Sequence, residues 1–241
     1  MAHRVPVRRG HPPPADPRHG GDRDPRAHVP AQARHGGVAQ RLVCGVRPAR
    51  ARRDPLCHAL PRAGVGDYVA RAVSDGARLF KMHVQVGVFA PDDPLLDPAW
   101  DVLARHHIPV VIHAGSGPIE GPYTGPDRVA EVLRRHPDLT LVIAHLGMPE
   151  YDRFADLAEQ HPNVYLDTTM AATDFTERSA PMPPGYVERL GALADKVVLG
   201  SDFPNIPYQY AHQLFGLARL GLGDEWMRKV LWHNGRKLLD R

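Results

Sequence analysis

Five times from Arg78 onward, a short apolar segment is followed by an amphipathic one, and this alternation narrows the folds open to the chain. The apolar segments read as strands: RLFKMHVQV (78–86), IPVVIHAG (108–115), LTLVIAHLG (139–147), NVYLDTTM (163–170) and KVVLGSDFP (196–204). The amphipathic segments read as helices over 98–107, 126–136, 149–161 and 184–194. Another helix precedes the first strand at 66–77, and two more lie near 207–220 and 223–239. Asp97 is expected to cap the helix that follows it, and Pro98 suits a first helical position. The strands are β-branched and apolar on both faces, as strands buried in a parallel sheet are. Such an order means α/β, either an open doubly wound sheet or a (β/α)8 barrel. No Gly-x-Gly-x-x-Gly follows any strand, which disfavours a dinucleotide fold.

The strands finish in polar residues: Lys81 and His83, then His113, His145, Asp167 and Asp202. In a barrel these ends converge on the face where catalytic loops sit. A single His at a strand end is more often a satisfied structural residue. Two on successive strands, with an Asp on a later one, are costly to bury together without a metal or a hydrogen-bond network. The nitrogen-and-oxygen set His113, His145 and Asp202 suits a divalent ion, Zn²⁺ first, with Mn²⁺ or Fe²⁺ as alternatives. Lys81 and His83 are two apart and share one side of their strand. Their readings are a substrate-anion contact, a further role at the metal, or a structural ion pair. Asp167 is expected to serve as a cap or turn carboxylate, with orientation of a rim residue as the alternative. His106, His107, His136, His161, His212 and His233 fall on helices or their ends and are expected to face solvent or cap. Ser116 and Ser201 lie outside any Gly-x-Ser-x-Gly elbow, which speaks against a serine hydrolase.

Residues 1–63 have another texture. They carry 13 Arg and 4 Asp, a charge of +9, and no Lys, Glu, Ser, Thr, Asn, Ile or aromatic residue. The other 178 residues carry 17 basic and 23 acidic side chains, a charge of −6, so the net +3 hides a split. The first segment holds too little apolar surface to offset its ordering entropy and is expected to be disordered. It lacks aromatics for base stacking, and the body is mildly acidic, so no nucleic-acid partner is expected. Its residues are those of G- and C-rich codons, and a GC-rich gene read out of frame would produce such text. The expected division is therefore 1–63 as a basic or frame-shifted segment and 64–241 as the folded portion. No apolar run is long enough for a membrane span. Two cysteines, Cys44 and Cys57, make neither a disulfide framework nor a zinc motif, so a reducing cytoplasm is the expected location.

VVIHAG, LVIAHLG, NVYLDTT and VVLGSDFP, in this order, resemble the amidohydrolase superfamily. The likeness is greatest to the amidohydrolase-related branch with aminocarboxymuconate-semialdehyde decarboxylase-like enzymes. The closing WHNGRKLL is similar to that group's last helix. The resemblance covers residues 64–241 and implies a metal-dependent TIM barrel. It implies His113 as a metal ligand and His145 as a second ligand or polarising residue. Asp202 would be a ligand and general base toward water, and Lys81 and His83 would be substrate contacts on the fourth strand. The family's first strand carries His-x-His, or Glu-x-His in some decarboxylases, and no His-x-His occurs in this chain. By that count strands four to eight are present, five in all, too few to close an eight-stranded barrel. The function so implied is a metal-dependent hydrolase acting on a small carboxylate-bearing or cyclic substrate. The alternatives are a non-oxidative decarboxylase of the same family and an inactive truncated barrel. The residues do not fix an oligomeric state; barrels of this kind often pair, so the resemblance leaves a homodimer open.

Overall fold

A computed structural model describes residues 56–240. The expectations for Met1–Pro55 lie outside the described residues. Six strands form one wholly parallel sheet in sequential order: β1 (Leu56–His58), β2 (Leu79–His83), β3 (Val110–His113), β4 (Leu141–Ile143), β5 (Val164–Asp167) and β6 (Val197–Val198). The sheet thus holds one strand more than the sequence pattern indicates. Leu56–His58, placed by that pattern in the first segment, pairs in parallel with Leu79–Lys81. Helices α1 (Val65–Ser74), α2 (Asp97–Arg105), α3 (Pro126–Arg135), α4 (Tyr151–Gln160) and α5 (Tyr186–Ala192) connect successive strands. After β6 come α6 (Tyr210–Arg219), α7 (Gly223–Arg228) and α8 (Asn234–Leu239), the last two joined by a π-helical turn. This is a TIM-barrel-like α/β fold.

The two faces of the sheet differ. Phe80, Met82, Val110, Ile112, Leu141, Ile143, Val164 and Leu166 are almost wholly buried in the main core, together with helix residues such as Trp100, Leu133 and Phe154. On the other face, Leu79, Lys81 and His83 of β2 and Val111 and His113 of β3 are only half-buried. There Val142, Tyr165 and Val198 form a second small cluster with Leu238 of α8. The uniform apolar character of the strands therefore overstated burial at β2 and β3, where the pleat sends alternate side chains to opposite faces.

Each of β2 to β6 is shorter than the apolar segment that contains it. β2 stops at His83, whose ring nitrogen Nδ1 accepts the Val86 amide hydrogen 3.3 Å away and starts a one-turn helix, Val84–Gly87. β4 stops at Ile143 because His145 and Leu146 take left-handed backbone, φ 58° and 54°. Asp97 is not a cap. It is the first residue of α2, and its carboxylate binds Arg135 and His136 of the neighbouring helix segment. His136 is likewise no solvent-facing residue: it is buried, with Nδ1 2.9 Å from Asp101 and Nε2 3.0 Å from Asp97. A carboxylate presented from across the interface offsets the cost of burying a ring with two polar atoms.

Gln213 of α6 is fully buried. Its Nε2 donates to the carbonyls of Thr168 and Ala171, at 2.7 and 3.2 Å, and its Oε1 accepts from the Tyr208 hydroxyl. Gln213→Leu is expected to cost about 1–3 kcal/mol, because two buried carbonyls lose their donors. Urea unfolding checks this; a change under about 0.5 kcal/mol would mean water replaces the amide. Among the described residues no helix is long and apolar enough to cross a membrane.

Candidate active site

The parallel register carries the polar residues at the strand ends to one edge of the sheet. His83 and His113 are paired residues of β2 and β3. Their rings stack with centroids 3.9 Å apart and planes within 15°. His145, just past β4, meets His113 edge-on at 4.6 Å. Asp202, past β6, brings Oδ2 to 3.8 Å from His145 Nε2. Four of the expected residues thus come together from four strands. Lys81 lies two residues below His83 on the same face.

Hydrogen bonds set the state of each ring. The Thr169 carbonyl, 3.1 Å from His145 Nδ1, can only accept, so Nδ1 carries a proton. In the neutral ring Nε2 is then a lone pair. It faces the Asp202 carboxylate, a second electron-pair donor, across a gap too long for a hydrogen bond. Their approach calls for positive charge between them, a proton or a metal ion. The Gly117 carbonyl, 3.1 Å from His113 Nε2, leaves His113 Nδ1 as its lone-pair nitrogen. The Val86 amide at His83 Nδ1 leaves His83 Nε2–H as a donor.

Burial, then repulsion from His113 and Lys81, pushes the His83 imidazole down to about 3. Burial, then repulsion from His145, pushes His113 down to about 4, against a smaller upward pull from the Gly117 carbonyl. Both rings are held neutral in the folded chain, whereas unfolded histidines protonate near 6.5. Below that value the unfolded chain binds more protons than the folded one. The stability present above about 6.5 is therefore lost as pH falls toward 4 and then 3. Urea midpoints, measured with a chelator present, are expected to fall from pH 7 to pH 4. The fall should be shallower in the His83→Gln/His113→Gln double variant. Equal slopes would show that these rings are solvated.

Asp167, read first as a cap or turn carboxylate, does more. It is buried, and its Oδ1 accepts the backbone N–H of Thr169 at 2.8 Å and of His145 at 3.1 Å. It thereby holds His145 in its left-handed conformation. Asp202 too is left-handed, φ 51°. Such backbone is sparsely populated by non-glycine residues and concentrates at functional sites. Gly200 completes the arrangement: a Cβ there would lie 2.1 Å from Thr169 Oγ1 and 2.6 Å from Asp167 Oδ1. The sequence carried a signal for this glycine in its place just before Ser201 and Asp202. It carried none for the Thr169 carbonyl, which is a backbone atom.

Among the described residues no three His, Cys, Asp or Glu side chains stand grouped so as to hold a metal ion. The donor chemistry nonetheless fits one, since His113 Nδ1, and His145 Nε2 in the neutral ring, offer lone pairs and Asp202 is an accessible carboxylate.

A sequence model of an amidohydrolase family, Amidohydro_2, matches residues 2–241. No curated protein matches the chain. Among solved structures, an uncharacterized TIM-barrel protein from Bordetella bronchiseptica is similar at 23% identity and a TM-score of 0.65, over 77% of this chain and 66% of that one. The 2,6-dihydroxybenzoate decarboxylase from Rhizobium is similar at 18% identity and a TM-score of 0.56, over 88% and 80%. A probable 2-pyrone-4,6-dicarboxylic acid hydrolase from Acinetobacter baumannii is similar at 14% identity and a TM-score of 0.51, over 73% and 69%. These likenesses show the fold, and the chain spans just under two thirds of the first of these structures.

Proposed function

The chain belongs to the amidohydrolase family, and on that premise we propose that it is a metal-dependent hydrolase of a small carboxylate-bearing or cyclic substrate. One observation carries the reading: His145 Nε2 and Asp202 Oδ2 face each other over 3.8 Å at the carboxyl ends of parallel strands, an approach that calls for a proton or a metal ion between them. Brought to one edge with them are the neutral rings of His83 and His113. We assign His113, His145 and Asp202 to the metal, with zinc as the first choice. When bound, such an ion supplies positive charge that polarises a carbonyl and acidifies a water.

The residues divide the remaining work. Asp202, accessible at the rim, takes the proton of the attacking water and returns it to the leaving group. His145, fixed through Nδ1 by the Thr169 carbonyl, keeps Nε2 aimed at the reacting region. The Lys81 ammonium pairs with a substrate carboxylate, and His83 Nε2–H donates a hydrogen bond to it. Asp167 orients His145 and touches no reacting atom.

The test takes the purified full chain. About one divalent ion per chain is expected, to be lost in His113→Ala. Assays then compare ring opening of 2-pyrone-4,6-dicarboxylate with CO₂ release from 2,6-dihydroxybenzoate, the compounds named for two proteins of similar fold. Ring opening supports the hydrolase. CO₂ release would replace it with the decarboxylase. A chain that holds no metal and turns over neither compound would favour an inactive barrel.

A further inference from the structure

The segment that follows β3 and the segment that follows β4 are joined along a seam, and one side chain closes it. The Gly117 N–H donates to the Met148 carbonyl at 3.2 Å. Gly115 lies so close to the same carbonyl that a Cβ there would be 2.4 Å from its oxygen. Beyond these backbone contacts, Glu150 reaches back to Ser116. Its Oε2 accepts the Ser116 N–H at 3.1 Å, and its Oε1 accepts the Ser116 hydroxyl. Ser116 is buried, and the next residue, Gly117, supplies the carbonyl on which His113 Nε2 rests. His113 opens one arm of this seam and His145 the other.

We propose that Glu150 is a positioning residue that fixes the His113 ring relative to the His145 ring through Ser116 and Gly117. The proposal rests on the reading of these rings as metal ligands. Glu150 touches neither ring, and its two bonds to Ser116 hold the Gly117 carbonyl where His113 Nε2–H must donate. That bond keeps His113 Nδ1 as the lone-pair nitrogen. Without the clasp the Gly117 carbonyl is released, the ring turns, and a ligand is lost from the set. Partners of this kind orient metal-binding histidines, and their removal costs roughly 10–100-fold in metal affinity.

Three variants of the full chain test it: Glu150→Ala, Glu150→Gln and Ser116→Ala. Zinc affinity is measured by competition with a chromophoric chelator, at a temperature well below each variant's melting midpoint. Glu150→Ala is expected to bind zinc about 10–100-fold more weakly than the wild type. Glu150→Gln keeps an amide oxygen for the Ser116 N–H and is expected to recover most of the loss. Ser116→Ala, which retains the backbone bond, is expected to fall between them. Wild-type affinity in folded Glu150→Ala, with only its melting point lowered, would reduce Glu150 to a structural clasp and overturn the proposal. Crystal structures of wild type and Glu150→Ala supply a readout that needs no metal. The variant is expected to lose the contact between His113 Nε2 and Gly117, and the ring separation from His145 should depart from 4.6 Å. An unchanged ring pair overturns the proposal even if the wild type binds no zinc. Absence of zinc binding by the wild type counts instead against the metal reading of the site.

Discussion

Gly147→Ala is expected to lower the unfolding free energy by about 2–5 kcal/mol. Two costs add. Gly147 has φ 76°, a left-handed backbone that costs an alanine roughly 1–2 kcal/mol. An ideal Cβ would also lie 2.2, 2.4 and 2.6 Å from Phe154 Cδ2, Cγ and Cβ. Phe154 is fully buried, and its Cβ belongs to the root of the side chain, so a rotamer change cannot clear the clash. Overpacking of that kind costs about 1–3 kcal/mol. Against a typical total of about 5–15 kcal/mol, the loss is large enough to unfold a marginal domain. Urea unfolding at neutral pH measures it. A loss below about 1 kcal/mol would show that α4 can slide away from the turn that carries His145. This glycine closes the VIAHLG segment, so the position where the chain turns into α4 is also the position where His145 is presented.

Asp202→Asn is expected to do the reverse: leave stability within about 0.5 kcal/mol and lower kcat/KM by about 10²–10⁴. The Asp202 side chain is 40% exposed and makes no side-chain hydrogen bond among the described residues, so little packing is lost. Asparagine tolerates the left-handed backbone at φ 51° about as well as aspartate does. An amide cannot accept the proton of water, so a general-base role ends with the charge. Unfolding curves and steady-state rates on whichever compound proves to be turned over check the two halves. Activity within threefold of wild type would remove Asp202 from the catalytic role. Unchanged rates with a large drop in stability would make it a structural residue.

Set side by side, these two substitutions separate what holds the rim in place from what is proposed to work there. Gly147, Gly200 and Asp167 allow or enforce unusual backbone at His145, and a change at any of them is felt first as lost stability. Asp202 and Lys81 contribute charge at half-open positions, and a change at either should be felt first in turnover. His83 and His113 belong to both groups, because the burial that holds them neutral is also what the acid dependence of stability reports.

The alternation of strand and helix was legible in the sequence because it depends on near neighbours: a run of β-branched residues, then apolar residues at helical spacing. The same local pattern placed His83, His113, His145 and Asp202 at strand ends, and in a parallel sheet strand ends of one sense must lie at one edge. What only the tertiary structure decided involves partners far apart in the chain. Asp167 meets the His145 amide across 22 residues, and Glu150 meets Ser116 across 34. His136 is buried because Asp97 and Asp101, on another helix, supply carboxylates to both its nitrogens. The short β1 gains its place from the edge of β2 rather than from its own three residues. Strand lengths turned on local detail that apolar periodicity does not record, since β2 stops where the His83 ring caps a turn and β4 where left-handed residues divert the chain before its apolar run ends. Composition and periodicity record what each residue prefers among its neighbours; they do not record which distant group will neutralise its charge or fill the space beside it.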